Sequence, residues 1–199
     1  MEKQNKGNTK ERILLIAAKL FSENGYDRVT TRQIAKEVGI NAATIYHHFP
    51  SKEDILKSLY NFYSSHLKGE SPNPEQLLKL AESESPHEVL LKSEFHFDED
   101  IREVLDQVIV TATRMLYADP ESETFIRENI FDPTAYIVKP LLETLVELGR
   151  IPPFDINIFV QILSYFCFSA AALNKSSFGL TVEEYQEAMS FLFSMVTTN

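Results

Sequence analysis

Between Thr30 and Asp54 the chain reads TTRQIAKEVGINAATIYHHFPSKED, and its start and stop signals leave few folds open. Thr30, with Gln33 three residues on, has the form of a capping box that opens a helix. Ile34, Ala35 and Val38 give that helix one apolar face. Gly39 sits where a helix ends on a left-handed residue, and Ile40 can plug the corner. Asn41 then caps a second short helix in which Ile45 and Phe49, four apart, share a face. Pro50 closes it by disfavouring helical geometry at Phe49, and Ser51 with Asp54 opens the next helix. Two short helices at a tight turn form a helix-turn-helix, whose second member leaves Ala42, Ala43, Thr44, Tyr46, His47 and His48 outward.

An ordinary helical hairpin would satisfy this geometry, but the particular residues narrow the choice. Phe21, Asn24-Gly25-Tyr26, Thr30-Thr31, Ile34-Ala35, Val38-Gly39-Ile40 and Thr44-Ile45-Tyr46-His47-His48-Phe49, followed by Ser51-Lys52-Glu53, resemble the TetR family of transcriptional regulators. The resemblance covers residues 9 to 60 without a gap; beyond them it rests on architecture. It implies an all-α chain: an N-terminal three-helix DNA-binding domain (1–50), a connecting helix (51–68), and a C-terminal effector-binding and dimerisation domain (69–199). By position in the motif, Thr31, Thr44, Tyr46, His47 and Lys52 are the expected DNA contacts, with Tyr46 and Lys52 on phosphate. Arg32 and Lys36 join them on charge. The recognition helix opens Asn41-Ala42-Ala43, where many relatives carry Lys or Gly. Bidentate reading of guanine is therefore unavailable, and Thr44 with the methyls of Ala42 or Ala43 against thymine takes its place.

The net charge of −10 argues against a DNA binder until it is divided along the chain. Residues 1–68 carry 11 Lys or Arg against 7 Asp or Glu, and residues 69–199 carry 8 against 22. A basic head on an acidic body presents one end to phosphate, although solvated acidic faces give the same numbers. The single Cys167 excludes an internal disulfide and, set among apolar residues, reads as a small buried hydrophobe. No export signal or long apolar span is evident, so a cytoplasmic protein without a membrane partner is expected.

A first helix is expected from Asn8 or Thr9 to Asn24-Gly25, with Ile13, Ile16, Ala17, Leu20 and Phe21 in its stripe. After the boundary at 69–74, the pairs Asn73-Pro74, Ser85-Pro86, Asp119-Pro120 and Asp132-Pro133 each read as a cap with Pro in the first helical turn. Helices are predicted at 74–82, 86–94, 99–117, 120–131, 133–149, 156–174 and 182–197. An interior Pro140 kinks the helix that holds it.

Aromatic, Met and scattered polar residues in these helices suit either an ordinary core or a small-molecule cavity. The family resemblance implies an effector, and Phe95, Thr111, Arg114, Met115, Phe131, Tyr136, Gln161 and Tyr165 are the candidate lining. The last two helices carry more apolar residues than one monomer needs. Phe159, Leu163, Phe166 and Ala170 on the first, and Tyr185, Met189, Leu192 and Phe193 on the second, are the expected homodimer contacts, forming a four-helix bundle across a two-fold axis. No His/Cys/Asp/Glu set has zinc spacing, no Gly-rich phosphate loop is present, and neither an enzyme nor a cofactor is indicated. The sequence thus points to a dimeric, effector-released repressor on double-stranded DNA with a palindromic operator. The alternative is a helical ligand-binding or protein-interaction module that no longer reads DNA.

Overall fold

Capping signals in the sequence become helix boundaries in the structure. A computed structural model describes residues 8–94, 99–173, 176 and 179–197, and among these no strand occurs. In chain order the helices are α1 (Thr9–Asn24), α2 (Thr31–Val38), α3 (Ala42–His48), α4 (Lys52–Gly69), α5 (Pro74–Ser83), α6 (Pro86–Leu91), α7 (Glu99–Met115), α8 (Pro120–Ile126), α9 (Asp132–Glu147), α10 (Ile156–Leu173) and α11 (Val182–Thr197). A 3₁₀ turn, Tyr26–Arg28, precedes α2.

Both halves of the Thr30–Gln33 capping box are formed, and Asn8, Asn41, Asn73 and Ser85 each accept a backbone N–H at their helix start. Ser51 likewise accepts from Asp54 N at 3.1 Å and donates to its carboxylate at 2.8 Å. Caps of this kind contribute about 1 kcal/mol each, which matters most for helices as short as α2 and α3.

Asp132-Pro133 departs from the expected helix start. Asp132 is itself helical, and a π-helical turn, Arg127–Phe131, joins α8 to α9. Asp132 N bonds to the Arg127 carbonyl five residues back, so the register has shifted before the proline, which has no N–H to continue the ordinary ladder. The Asp132 carboxylate is drawn to Arg127 Nη1 at 2.8 Å, and Asn129 Nδ2 donates to the Phe125 carbonyl at 2.8 Å. The helix also runs through Pro140 without a break.

The chain forms two compact units. One comprises Met1–His66 with Asp98–Glu123, the other Leu67–Phe97 with Thr124–Asn199. Residues 98–123 thus belong with the N-terminal unit, not with the rest of 69–199. In that unit α7 lies along α1. Ile13, Ala17, Phe21, Ile34, Ile45, Phe49, Ile55, Leu59, Val108 and Ala112 are buried. Tyr60 Oη meets Ser122 Oγ at 2.7 Å, and burial of the pair pushes the phenol up to about 12.

In the second unit α9 packs on α5 and α10, and α6 on α11. Leu90, Leu141, Leu142, Leu145, Leu163 and Phe193 form its centre. Arg150, just after α9, donates to the Ala81 carbonyl at 2.6 Å and so satisfies the end of α5.

α10 corrects the expectation that no long apolar span is present. At 18 residues and a mean hydropathy of 1.8, it is long and apolar enough to cross a membrane, and 22% of it is buried.

Gly39 ends α2 at φ +77°, with its N–H shared between the Ala35 and Lys36 carbonyls. Nothing lies within 4 Å of where a Cβ would sit, so the strain of Gly39→Ala is purely conformational. We expect a loss of about 1–2 kcal/mol in unfolding free energy, read by urea denaturation.

Candidate nucleic-acid interface

Seven residues of α3 are too few to hold a helix alone, so its geometry is set by its ends and its inner face. Asn41 Oδ1 accepts from Thr44 N at 2.8 Å and from Thr44 Oγ1 at 2.9 Å. Ile45 and Phe49 are 0% and 2% exposed. Arg12 reaches from α1 to donate to the Val38 carbonyl at 2.5 Å, closing α2 at the turn. The Lys10 ammonium stands 5.5 Å from the Phe49 ring centre.

With one face fixed inward, the other is presented outward. Ala43, Tyr46 and His47 are exposed, and Ala42 and Thr44 are half-buried. Tyr46, 53% exposed, is oriented by a 3.0 Å hydrogen bond between its hydroxyl and Thr31 Oγ1, which links the start of α2 to the middle of α3. Arg32 and Lys36 are exposed on α2. Thr44 spends its hydroxyl proton on Asn41, so what it offers outward is an oxygen acceptor and a methyl group. That set suits an exocyclic amine or a thymine methyl in a major groove.

Lys52, expected on phosphate, has partners within its own unit. Its ammonium is turned inward, donating to the carbonyls of Tyr26 at 3.0 Å and Val29 at 3.2 Å, and lies 4.0 Å from the Tyr26 ring centre. Burial, then the neighbouring Glu53, pushes the Tyr26 phenol well above its ordinary range. Glu53 itself is held below the usual carboxylate range by a backbone N–H and by Ser51 at the start of α4.

Of the eight residues expected to line an effector cavity, the seven described ones divide between the two units. Thr111, Arg114 and Met115 belong to α7 in the N-terminal unit. There Thr111 bonds to the Gln107 carbonyl at 2.8 Å, and Arg114 donates to the Ser22 carbonyl of α1. Phe131, Tyr136, Gln161 and Tyr165 belong to the second unit, and the last three are exposed. Phe131 packs edge-on to Tyr165 at 5.3 Å. Phe95 lies outside the described residues. Helical spacing identifies where these side chains point on each helix, not which helix faces which.

A cavity of about 650 Å³ occurs elsewhere, between the end of α6 and α11, lined by Leu91, Glu94, Gln186, Glu187, Ser190, Phe191 and Ser194. His87 Nε2 lies 3.2 Å from the Ser190 carbonyl at its edge. Burial pushes the Glu94 carboxyl up to about 7. Polar residues along α11 are the only sequence signal for this cleft, and they resemble any solvated helix face. Among the described residues no group of three or more His, Cys, Asp or Glu comes together to hold a metal ion.

The expected dimer residues divide. Leu163, Met189 and Phe193 are buried in the core of their own unit, and Phe159, Phe166, Tyr185 and Leu192 pack partly buried against it; Ala170 is half-buried. The core takes the most regular stripe of each helix, because a neighbour in the same chain is always available. Outward of it stand Ile158, Ile162 and Tyr165 on α10, each more than half exposed, and Phe191 and Met195 on α11, 65% and 64% exposed. Phe166 and Tyr185 are stacked at 5.6 Å, and burial raises the Cys167 thiol beside them to about 11.

Residues 13–59 match the family model of bacterial regulatory proteins, tetR family. An HTH-type transcriptional regulator of Bacillus subtilis (strain 168), YerO, is 32% identical over 114 residues, 57% of this chain and 38% of that protein. The nucleoid occlusion factor SlmA of Vibrio cholerae is 38% identical over 68 residues, 34% of this chain and 35% of that protein. The chain therefore matches well under half the length of these relatives. Solved structures match over nearly the whole chain. PfmR of Thermus thermophilus, a TetR family regulator, superposes with a TM-score of 0.63 at 24% identity, covering 94% of this chain and 97% of that one. A transcriptional regulator from Saccharomonospora viridis in complex with choline gives 0.67 at 20% identity, covering 96% and 98%. AibR, in complex with isovaleryl coenzyme A and operator DNA, gives 0.63 at 19%, also covering 96% and 98%.

A carboxyl such as Glu94, with a folded pKa near 7 against an ordinary 4.5, favours the folded state most fully below pH 4.5, and that contribution is lost as pH rises through 7. Glu94→Gln should therefore melt close to the wild type at pH 4.5 and increasingly above it toward pH 8, as followed by circular dichroism.

Proposed function

Because the chain belongs to the tetR family of bacterial regulatory proteins, we propose that it is a homodimeric repressor that binds a near-palindromic operator and is released by a small-molecule effector. The observation that carries the reading is α3 itself. Its inner face is locked by Ile45 and Phe49, and its outer face presents Ala42, Ala43, Thr44, Tyr46 and His47, of which Ala43, Tyr46 and His47 are exposed. Thr31, Tyr46, Arg32 and Lys36 hold phosphate, while Thr44 and the two alanines meet base edges.

One such helix reads too few base pairs to select a site, so two copies are required, and the exposed apolar face of α10 and α11 supplies the contact. The cleft between α6 and α11 is within the volume range of small-molecule sites and is our candidate for the effector. AibR was crystallised with both an acyl coenzyme A and operator DNA, which supports an effector-linked regulator on this fold. By linkage, an effector that prefers the released conformation lowers operator affinity by the same factor, typically about 1–3 kcal/mol of coupling.

A second reading, a helical interaction module that no longer reads DNA, is favoured by one observation: α3 carries no Lys or Arg. Selection of bound sites from random duplex DNA decides between the two. An enriched palindrome, with log affinity falling against log salt at a slope of roughly −5 to −9 for about 6–10 phosphate contacts, supports the repressor; no enrichment favours the module. On that operator, Tyr46→Ala should weaken every sequence alike, whereas Thr44→Ala should relax preference at one base position. Equal loss on all sequences from Thr44→Ala would remove it from the base-reading set.

Replacing Phe191 and Met195 together with Ser should give a monomer by light scattering with a largely retained helical signal, since both side chains are mostly exposed within the monomer. Retention of the dimer would move the interface elsewhere.

A further inference from the structure

Lys52 is the one expected phosphate contact whose charge is already committed within the chain. Its ammonium donates to two main-chain carbonyls, Tyr26 at 3.0 Å and Val29 at 3.2 Å, and faces the Tyr26 ring at 4.0 Å. The Tyr26 carbonyl also accepts the Val29 N–H that closes the 3₁₀ turn between α1 and α2, so the ammonium bridges the two ends of that turn. Tyr26 is in turn anchored edge-on to Phe21, a fully buried residue of α1, at 5.0 Å. Reaching out to a phosphate would break both hydrogen bonds and forfeit the ring contact, for one screened surface charge pair in return.

Lys52 is also the first residue of α4, three residues beyond Phe49, where α3 ends. Its anchor, Val29, immediately precedes Thr30, the cap of α2. A single side chain thus ties the exit of α3 to the entrance of α2, closing a ring around the helix-turn-helix that sequence order alone leaves open.

We propose that Lys52 is a positioning residue, a lock that fixes the angle at which α3 is presented, and that it does not hold DNA phosphate. The proposal rests on the DNA-reading function inferred above. A lock acts on specific binding, where α3 must fit the groove, more than on non-specific binding, which needs only charge. A phosphate contact acts on both equally.

The test compares full-length wild type with Lys52→Met, Tyr26→Leu and Arg32→Met on the selected operator and on a random duplex of the same length, each across a salt titration. Lys52→Met should lower operator affinity about 3- to 10-fold while leaving random-duplex affinity and the salt slope unchanged. Tyr26→Leu, which keeps the carbonyls and the lysine charge but removes the ring, should show the same pattern more weakly. Arg32→Met should reduce the magnitude of the slope by about 0.9 for each phosphate that Arg32 neutralises. Equal losses on both duplexes with a reduced slope in Lys52→Met would make it a phosphate contact and overturn the proposal, as would an unchanged operator affinity.

Amide hydrogen exchange on the free protein supplies a readout that needs no DNA. Lys52→Met should speed exchange through residues 30–38 relative to α7. If the wild type selects no operator yet this acceleration appears, the lock stands and the DNA-reading function fails; if exchange is unchanged, the lock itself fails.

Discussion

Everything the N-terminal unit can do depends on burying Ile45 and Phe49. A seven-residue helix has no independent stability, and these two side chains, with the Asn41 cap, are what make α3 a fixed surface instead of a fluctuating segment. Fully burying two such side chains contributes about 1.5–3 kcal/mol each, comparable to the cost of ordering a few backbone residues, so the margin is thin. That is why so many separate contacts converge here. Arg12 on Val38, Lys52 on Tyr26 and Val29, and Tyr46 on Thr31 each tie one end of the motif to another part of the same unit.

The same economy explains what the outer face carries. With the hydroxyl proton of Thr44 committed to the Asn41 cap and no Lys or Arg on α3, little positive charge is held at the reading surface itself. On the proposed DNA-binding reading, attraction to phosphate falls to α2, through exposed Arg32 and Lys36. Division of labour between a neutral reading helix and a basic neighbour is consistent with backbone contacts positioning the protein while base edges specify the sequence.

What is legible in the sequence is local. Each Asn, Ser or Thr before a helix, and the glycine ending α2, acts through atoms within a few residues of itself, so the caps at Asn8, Thr30, Asn41, Asn73 and Ser85 stand where the pattern puts them. Asp132-Pro133 misleads because a proline signal looks the same at a helix start and after a register shift, and the deciding partner, Arg127, lies outside the cap pattern. Long-range placement is not legible at all. The periodicity of α7 shows an apolar stripe but not that the stripe faces α1, and so Thr111 and Arg114 fit a cavity lining on paper while they belong to the packing of the N-terminal unit. Lys52 is the sharpest case, since nothing in its place at a helix start indicates that its nitrogen meets the carbonyls of Tyr26 and Val29, more than 20 residues earlier in the chain.

α10 shows why hydropathy must be read together with packing. Its composition satisfies the length and apolarity of a membrane span, yet Val160, Leu163 and Ser164 are buried in the second unit, with Ser164 bonded to the Val160 carbonyl at 2.9 Å, and Asn157 and Gln161 are exposed among the apolar residues. Lipid would contact every side and leave those two amides without partners. A partner helix need cover only the stripe through Ile158, Ile162 and Tyr165, leaving polar groups at its margin in water. A surface that is apolar along one stripe and polar beside it is the pattern of a protein interface, with a dry centre and a wet rim, and on the proposed dimer the excess hydropathy of this helix is what one helix needs to serve two cores at once.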